Sequence, residues 1–197
     1  MFTGIVEEMG ILQSVAEKSD IYQYQVQTSK IFLEHVVEGD SIAINGVCLT
    51  AYNIRSDTFE VDVSNETQRC TTFGFQGDSS KSVNLERAVT PTTRLGGHFV
   101  SGHVDGLGEL LNREDKENES IIWLSTPSDL KKYIATKGSI CVNGVSLTVN
   151  EILNDRHCIT IIPHTLKKTT LRSLKIGDKV NIEVDLLARY LEQLSRI

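Results

Sequence analysis

Apolar and polar side chains alternate with a period of two through much of this chain. In YQYQVQT (Tyr22 to Thr28) and TFEVDVS (Thr58 to Ser64) nearly every second residue is polar, which predicts strands with one wet and one dry face. SIIWLST (Ser120 to Thr126) and HCITIIP (His157 to Pro163) are more apolar but equally rich in β-forming residues. Gly10, Gly39, Gly46, Asp57 and Gly77 punctuate the first half, and Gly108, Gly138, Gly144 and Asp155 the second. Short strands divided by turn signals predict a small closed or sandwiched antiparallel sheet. One short helix is expected in each half, at 29–37 and 127–135, the second entered through Thr126 as N-cap and Pro127 as first helical residue. At the end, Leu186, Leu187, Tyr190, Leu191 and Leu194 form a helical stripe opposite Arg189, Glu192, Gln193 and Arg196. A helix of about twelve residues is marginal alone in water. Its stripe therefore needs a surface, on its own barrel or on another subunit, and the pattern leaves both open.

The alternation occurs twice because the chain is written twice. Sliding the sequence by 98 positions lays SIAINGVCLT (Ser41 to Thr50) on SICVNGVSLT (Ser139 to Thr148), with seven of ten residues identical. It also lays FTGIVEEMGIL (Phe2 to Leu12) on VSGHVDGLGEL (Val100 to Leu110). VNLE (Val83 to Glu86) meets VNIE (Val180 to Glu183) at an offset of 97. Two copies are too few for a solenoid, but each is long enough to be a small domain. Residues 1–97 and 98–185 are the expected domains, joined through the Pro/Thr/Gly-rich stretch at 88–97, with 186–197 as a separate helix.

Composition narrows the function. The 197 residues are 40% hydrophobic and 23% charged, ordinary for a globular protein. A formal net charge of −6 and the lack of a basic stripe argue against a nucleic-acid partner. MFTGIVEE lacks the basic and apolar regions of a secretory signal, and no apolar run approaches a membrane span. Cys48, Cys70, Cys141 and Cys158 show no CxxC spacing, so reduced thiols in a cytoplasm are expected.

Where duplicated copies differ, chemistry can be specialised. Ile5 faces His103, Cys48 faces Ser146, Glu66 faces His164 and Ala88 faces Asp185. Each has an ordinary reading: Cys48 as a small core residue, Ser146 as a hydroxyl bonded to backbone, Asp185 as the N-cap of the last helix. His98, His103 and Asp105 raise the question of a metal, but no further cluster has ligand spacing. A hydrolase built on Ser146, His103 and Asp185 would lack the GxSxG elbow.

MFTGIVEE at the start, NGVCLT and NGVSLT in the two copies, GGHFVSGHVDG opening the second and VNIEVD near the end together resemble the riboflavin synthase family of the α-chain type, a lumazine-binding repeat family. The resemblance covers essentially the whole chain. It implies two tandem six-stranded Greek-key barrels in an all-β fold, and a homotrimer assembled through the C-terminal helix. The implied reaction is the dismutation of two 6,7-dimethyl-8-ribityllumazine molecules: one gives a four-carbon unit to the other, forming riboflavin and 5-amino-6-ribitylaminopyrimidinedione. No metal or other cofactor is implied, and a lumazine synthase capsid is left open as a partner. The site would lie between the first barrel of one subunit and the second barrel of a neighbour. By position, first-copy contacts are Gly4, Ile5, Val6, Cys48, Leu49, Thr50, Asp62, Val63, Ser64, Asn65, Glu66 and Thr67. Second-copy contacts are Gly102, His103, Val104, Lys137, Ser146, Leu147, Thr148, Ile161, Ile162, Pro163, His164, Thr165 and Leu166. The residues tied to chemistry fall on Cys48, His103, Ser146, Thr148 and Asp185.

The chemistry asks for those side chains. A C7 methyl must lose a proton to become a nucleophile, and a neutral imidazole is a suitable acceptor near pH 7. His103, with the Ser146 and Thr148 hydroxyls, can move protons around the reacting pair. Cys48 is a candidate nucleophile only as its thiolate, and water or a hydroxyl is an equal alternative. Stacking two heterocycles in register supplies proximity, and the matched Thr67 and Thr165 are suited to the pyrimidine edges. A non-catalytic lumazine- or flavin-binding fluorescent protein of the same superfamily is the competing reading.

Overall fold

The computed structural model describes residues 1–18, 21–75 and 80–195; Gly77, expected at a turn, and Arg196, expected on the polar face of the last helix, lie outside them. In the first half, strands β1 (Glu8–Lys18), β2 (Ile21–Gln27), β3 (Ser41–Ile44), β4 (Val47–Thr50), β5 (Thr58–Ser64) and β6 (Lys81–Arg87) form one antiparallel sheet in the order β4-β3-β6-β1-β2-β5. A bridge between Tyr52 and Glu60 brings its two edges together. In the second half, β7 (Gly106–Asp115), β8 (Ser120–Ser125), β9 (Ser139–Val142), β10 (Val145–Leu153), β11 (Arg156–Ile161) and β12 (Lys179–Val184) close into a barrel with the same neighbours. The chain is thus two six-stranded antiparallel barrels, followed by a helix from Leu186 to Ser195.

Period-2 alternation becomes burial. Phe59, Val61 and Val63 of β5 point into the first core with Val26, Ile42 and Leu85. Ile122 and Leu124 of β8 point into the second with Ile140, Ile159 and Ile182. Each such side chain contributes about 1.5–3 kcal/mol. The turns follow from sequence as well: Asn45-Gly46 and Asn143-Gly144 carry positive φ at all four residues, the conformation a two-residue hairpin needs to match strand twist.

The helices differ from expectation. The first is one turn, α1 (Lys30–Leu33), capped by the Ser29 hydroxyl; its counterpart shrinks to a 3-10 turn at Lys131–Tyr133 that no side chain caps. Thr126 does not cap it because its hydroxyl is used elsewhere, 2.7 Å from Nδ1 of His157. Two further helices, α2 (Asn65–Cys70) and α3 (Pro163–Lys168), follow β5 and β11; Pro163 is the first residue of α3, not a strand end. The helix expected at the C-terminus is α4 (Leu186–Ser195).

The barrels meet back to back about a pseudo-twofold axis made of asparagines. Asn84 donates from Nδ2 to the Asn143 carbonyl and accepts the Thr170 N–H, both at 2.8 Å. Asn181 does the same for the Asn45 carbonyl at 2.8 Å and the Thr72 N–H at 2.7 Å. Each amide thereby satisfies buried backbone of the opposite half, groups that would otherwise cost about 1–3 kcal/mol apiece. The hairpin glycines touch across the axis: a Cβ on Gly46 would lie 2.7 Å from the Gly144 nitrogen.

His157 makes stability depend on pH. It is wholly buried, and burial pushes its pKa down from 6.5 to about 4. The unfolded chain takes up this proton near pH 6.5 and the folded one only near pH 4, so folding free energy is lost as pH falls through that window, by roughly 3 kcal/mol at most. Burial shifts His98 the same way, while the raised Glu86 and Glu183 act oppositely. Denaturant unfolding at pH 7 and pH 4.5 is expected to show a smaller acid loss in His157→Gln than in wild type. Equal losses would contradict this.

Candidate functional site

Two arms exchange barrels. The first, Phe2–Val6, leaves its own barrel: Ser146 donates its N–H to the Gly4 carbonyl at 2.7 Å, and Val6 packs on the second core. The second arm mirrors it. Cys48 donates its N–H to the Gly102 carbonyl at 2.8 Å, and Val104 packs on the first core. Between them Phe2 and Val100 form an antiparallel bridge. Only glycine fits at the crossing points: Gly4 and Gly102 have φ of 74° and 82°, and added Cβ atoms would lie 2.6 Å from Ser146 Cβ and 2.5 Å from Cys48 Cβ. The contacts expected within each copy are therefore regrouped. Gly4, Ile5 and Val6 join the second barrel, and Gly102, His103 and Val104 the first.

The first patch consists of the second arm, the β4 edge and the turn into α2. Cys48 is half-buried and Thr50 exposed, while Leu49 and Val63 face the core. Asp62 accepts the Tyr52 hydroxyl at 2.6 Å; burial, and then this bond, push the phenol up to about 12. Ser64 caps α2 by accepting the Thr67 N–H at 3.2 Å. That cap fixes Asn65, Glu66 and Thr67 at the rim. Glu66 pairs with Arg69 at 2.5 Å and accepts the Cys70 thiol at 3.1 Å.

The second patch consists of the first arm, β10 and the turn into α3. Ser146 and Leu147 are half-buried and Thr148 exposed. Ile161 faces the core and Leu166 packs at its edge. Ile162, Pro163 and His164 are exposed at the start of α3, and Thr165 accepts at its carbonyl from the Thr169 hydroxyl at 2.8 Å. Lys137 is held at φ 68°, with its N–H on the Val149 carbonyl at 2.7 Å. Ile5 and Ile162 are 49% and 58% exposed, apolar surface suited to the face of a flat ring.

One residue here went unread in the sequence. His98, weighed only as a metal candidate, lies with Nδ1 2.7 Å from the Ser146 hydroxyl. It is buried, and burial holds its pKa below the usual 6.5, against the opposing pull of Asp185. The imidazole is therefore neutral at pH 7, with a buried Nε2 that has no protein partner. Gly97 permits the approach, since a Cβ there would lie 2.7 Å from the Ser146 hydroxyl. His98 stands in the GGHFVSGHVDG segment, but nothing local to it points to Ser146, 48 positions further on.

Asp185 caps α4, accepting the Leu187 N–H at 3.0 Å, while its charge reaches His98. In one chain, His103 and Ser146 do not form a triad with Asp185. His103 follows the glycine anchored to Cys48, and Ser146 has His98 as its imidazole. Among the described residues no group of three or more His, Cys, Asp or Glu is placed to hold a metal ion.

A double-barrel chain with two matched, arm-completed patches is the architecture of a tandem ligand-binding protein. The chain belongs to the lumazine-binding domain family, whose model matches residues 3–88 and 101–185. It is 44% identical to riboflavin synthase of Photobacterium phosphoreum, over 98% of this chain and 88% of that protein. It is likewise 44% identical to riboflavin synthase of Bacillus subtilis (strain 168), over 97% of this chain and 88% of that protein. Among solved structures, LumP complexed with 6,7-dimethyl-8-(1'-D-ribityl) lumazine matches with a TM-score of 0.84 at 28% identity, covering 93% of this chain and 99% of that one.

Proposed function

We propose that this chain is a riboflavin synthase, a transferase that dismutates two molecules of 6,7-dimethyl-8-ribityllumazine into riboflavin and 5-amino-6-ribitylaminopyrimidinedione. The observation that carries this reading is the pairing of two similarly built but chemically unequal patches in a chain related along its whole length to riboflavin synthases. One substrate used twice asks for two like pockets; donor and acceptor roles ask for unlike side chains. The two substrates contain all the atoms and electrons of the two products, so the transfer needs no external oxidant or reductant.

His103 and Ser146 are anchored to different patches of one chain. A site joining the first barrel of one subunit to the second barrel of its neighbour brings them to the same pair of substrates. In that site the neutral His98–Ser146 pair and Thr148 move protons on one ring. His103 and Cys48 face the other, with Thr67 and Thr165 at the pyrimidine edges. Lys137 and the remaining rim residues of each patch hold the ribityl chains. Residues 1–97, 98–185 and 186–197 serve as the two binding domains and the assembly helix, and the assembly is a homotrimer.

Four free cysteines support a reducing compartment, the cytoplasm. Among the described residues no helix is long and apolar enough to cross a membrane.

Incubating the purified protein with the lumazine tests the assignment. The expected result is loss of two lumazines per riboflavin and one pyrimidinedione formed. Tight binding without turnover would instead indicate the non-catalytic lumazine- or flavin-binding protein; LumP, to which the chain is similar, is likewise found complexed with the lumazine.

A further inference from the structure

The carboxylates of Glu86 and Glu183 are buried, 5% and 4% exposed, where the arms cross. Glu86 accepts the Thr3 N–H and the Thr3 hydroxyl on Oε1, both at 2.7 Å, and the Gly4 N–H on Oε2 at 3.0 Å. Glu183 repeats this on the other arm. It accepts the Ser101 N–H at 2.6 Å and the Ser101 hydroxyl at 2.7 Å on Oε1, and the Gly102 N–H at 3.0 Å on Oε2. The hydroxyls pass the restraint onward. Thr3 Oγ1 accepts the Ile5 N–H at 3.2 Å, and Ser101 Oγ accepts the His103 N–H at 3.3 Å. Each arm is thus gripped on one side by a carboxylate of its own barrel and on the other by Ser146 or Cys48 of the opposite one.

We propose that Glu183 and Glu86 are positioning residues: Glu183 sets His103 over the first barrel, and Glu86 sets Ile5 over the second. The proposal rests on the two-pocket reading above. A carboxylate is the side chain this place requires, because three donors converge on it and it has only acceptors to offer. Glutamine keeps the shape but presents an NH2 group to a glycine N–H. Burial raises both carboxyl groups above their usual range, opposed by these hydrogen bonds, so the protein retains acids where they are costly. Bonds, burial and distances are nearly the same in both clamps, so a purely structural role predicts equal consequences for Glu86→Gln and Glu183→Gln. The delivered residues differ: an apolar ring contact in one case, an imidazole in the other. A misplacement of about 1 Å at a reacting group costs roughly 100-fold in rate, whereas a displaced Ile5 weakens binding.

The experiment measures kcat, KM, melting temperature and the imidazole C2–H resonance of His103 in the full-length protein, with Glu86→Gln, Glu183→Gln and His103→Gln. The two clamp variants are expected to melt alike. Glu183→Gln lowers kcat by roughly 100-fold and shifts the His103 resonance, while Glu86→Gln mainly raises KM and leaves that resonance in place. The double variant Glu183→Gln/His103→Gln turns over no more slowly than His103→Gln alone. If Glu183→Gln does not fold, Ser101→Ala, which removes the hydroxyl joining Glu183 to the His103 N–H and leaves both backbone bonds to the carboxylate, is expected to produce the same kcat and resonance changes on a smaller scale. Equal kcat losses from both clamps, an unmoved His103 resonance, or multiplying losses in the double variant would overturn the proposal. A wild-type protein that converts no lumazine would overturn the enzyme reading instead, with the resonance still reporting on the clamp.

Discussion

Ser146→Ala is expected to lower kcat by roughly 10²–10⁴-fold, the range for removal of a positioned proton-handling group, in a protein that remains folded. The serine side chain is half-buried and has His98 as its hydrogen-bond partner at 2.7 Å. Its loss deprives His98 of that partner, at a cost of about 1–3 kcal/mol, which a barrel with its own continuous core tolerates. His98→Asn and His103→Gln are expected to lower turnover as well, through different patches: the first by releasing Ser146, the second by removing the imidazole beside Cys48. Steady-state conversion of lumazine, with circular dichroism to establish folding, reads all three. Near-wild-type rates in both Ser146→Ala and His103→Gln would remove these residues from the chemistry.

Deleting residues 186–197 is expected to convert a trimer to monomers and abolish turnover, because each proposed site needs two chains. Helix α4 is held to its own barrel on one face, where Arg189 pairs with Asp105, and Lys132 and Tyr133 bond to Glu192. On the other face Leu187, Tyr190, Leu191 and Leu194 are all at least 60% exposed. Covering four such side chains completely is worth about 1.5–3 kcal/mol each, a sum of the same order as the entropic cost of association. Light scattering gives the mass and lumazine turnover the activity. An unchanged mass in the truncated chain would refute α4 as the assembly element, and full activity in a monomer would refute the shared site.

The strands and the residues they bury were legible because strand periodicity is local: β5 and β8 bury the residues that alternate in TFEVDVS and SIIWLST, while their closure into barrels was implied by the resemblance. The helices were read less well. Thr126 and Pro127 form a sound cap signal, but the Thr126 hydroxyl is captured by His157, thirty-one residues away, and a tertiary partner outweighs a local propensity. The residue types of the candidate site stood out as mismatches between copies, yet their grouping did not. Glycine at positions 4 and 102 reads locally as a turn, and only the packed structure reveals a neighbouring barrel within Cβ distance.

The sequence by itself determined the duplication, the antiparallel β character of each copy and the apolar stripe of the last helix, and its motifs carried the resemblance that implied six-stranded barrels and the lumazine-binding family. The first three are written in spacing and the last two in motifs, and both survive without coordinates. The tertiary structure decided that the arms cross, that Glu86 and Glu183 grip them, and that Ser146 takes His98 as its partner. Those contacts join residues far apart in the chain: Thr3 with Glu86, 83 positions on, Ser101 with Glu183, 82 positions on, and Gly4 with Ser146 of the other barrel. No periodicity encodes them; they exist only once two cores have formed and brought their surfaces together.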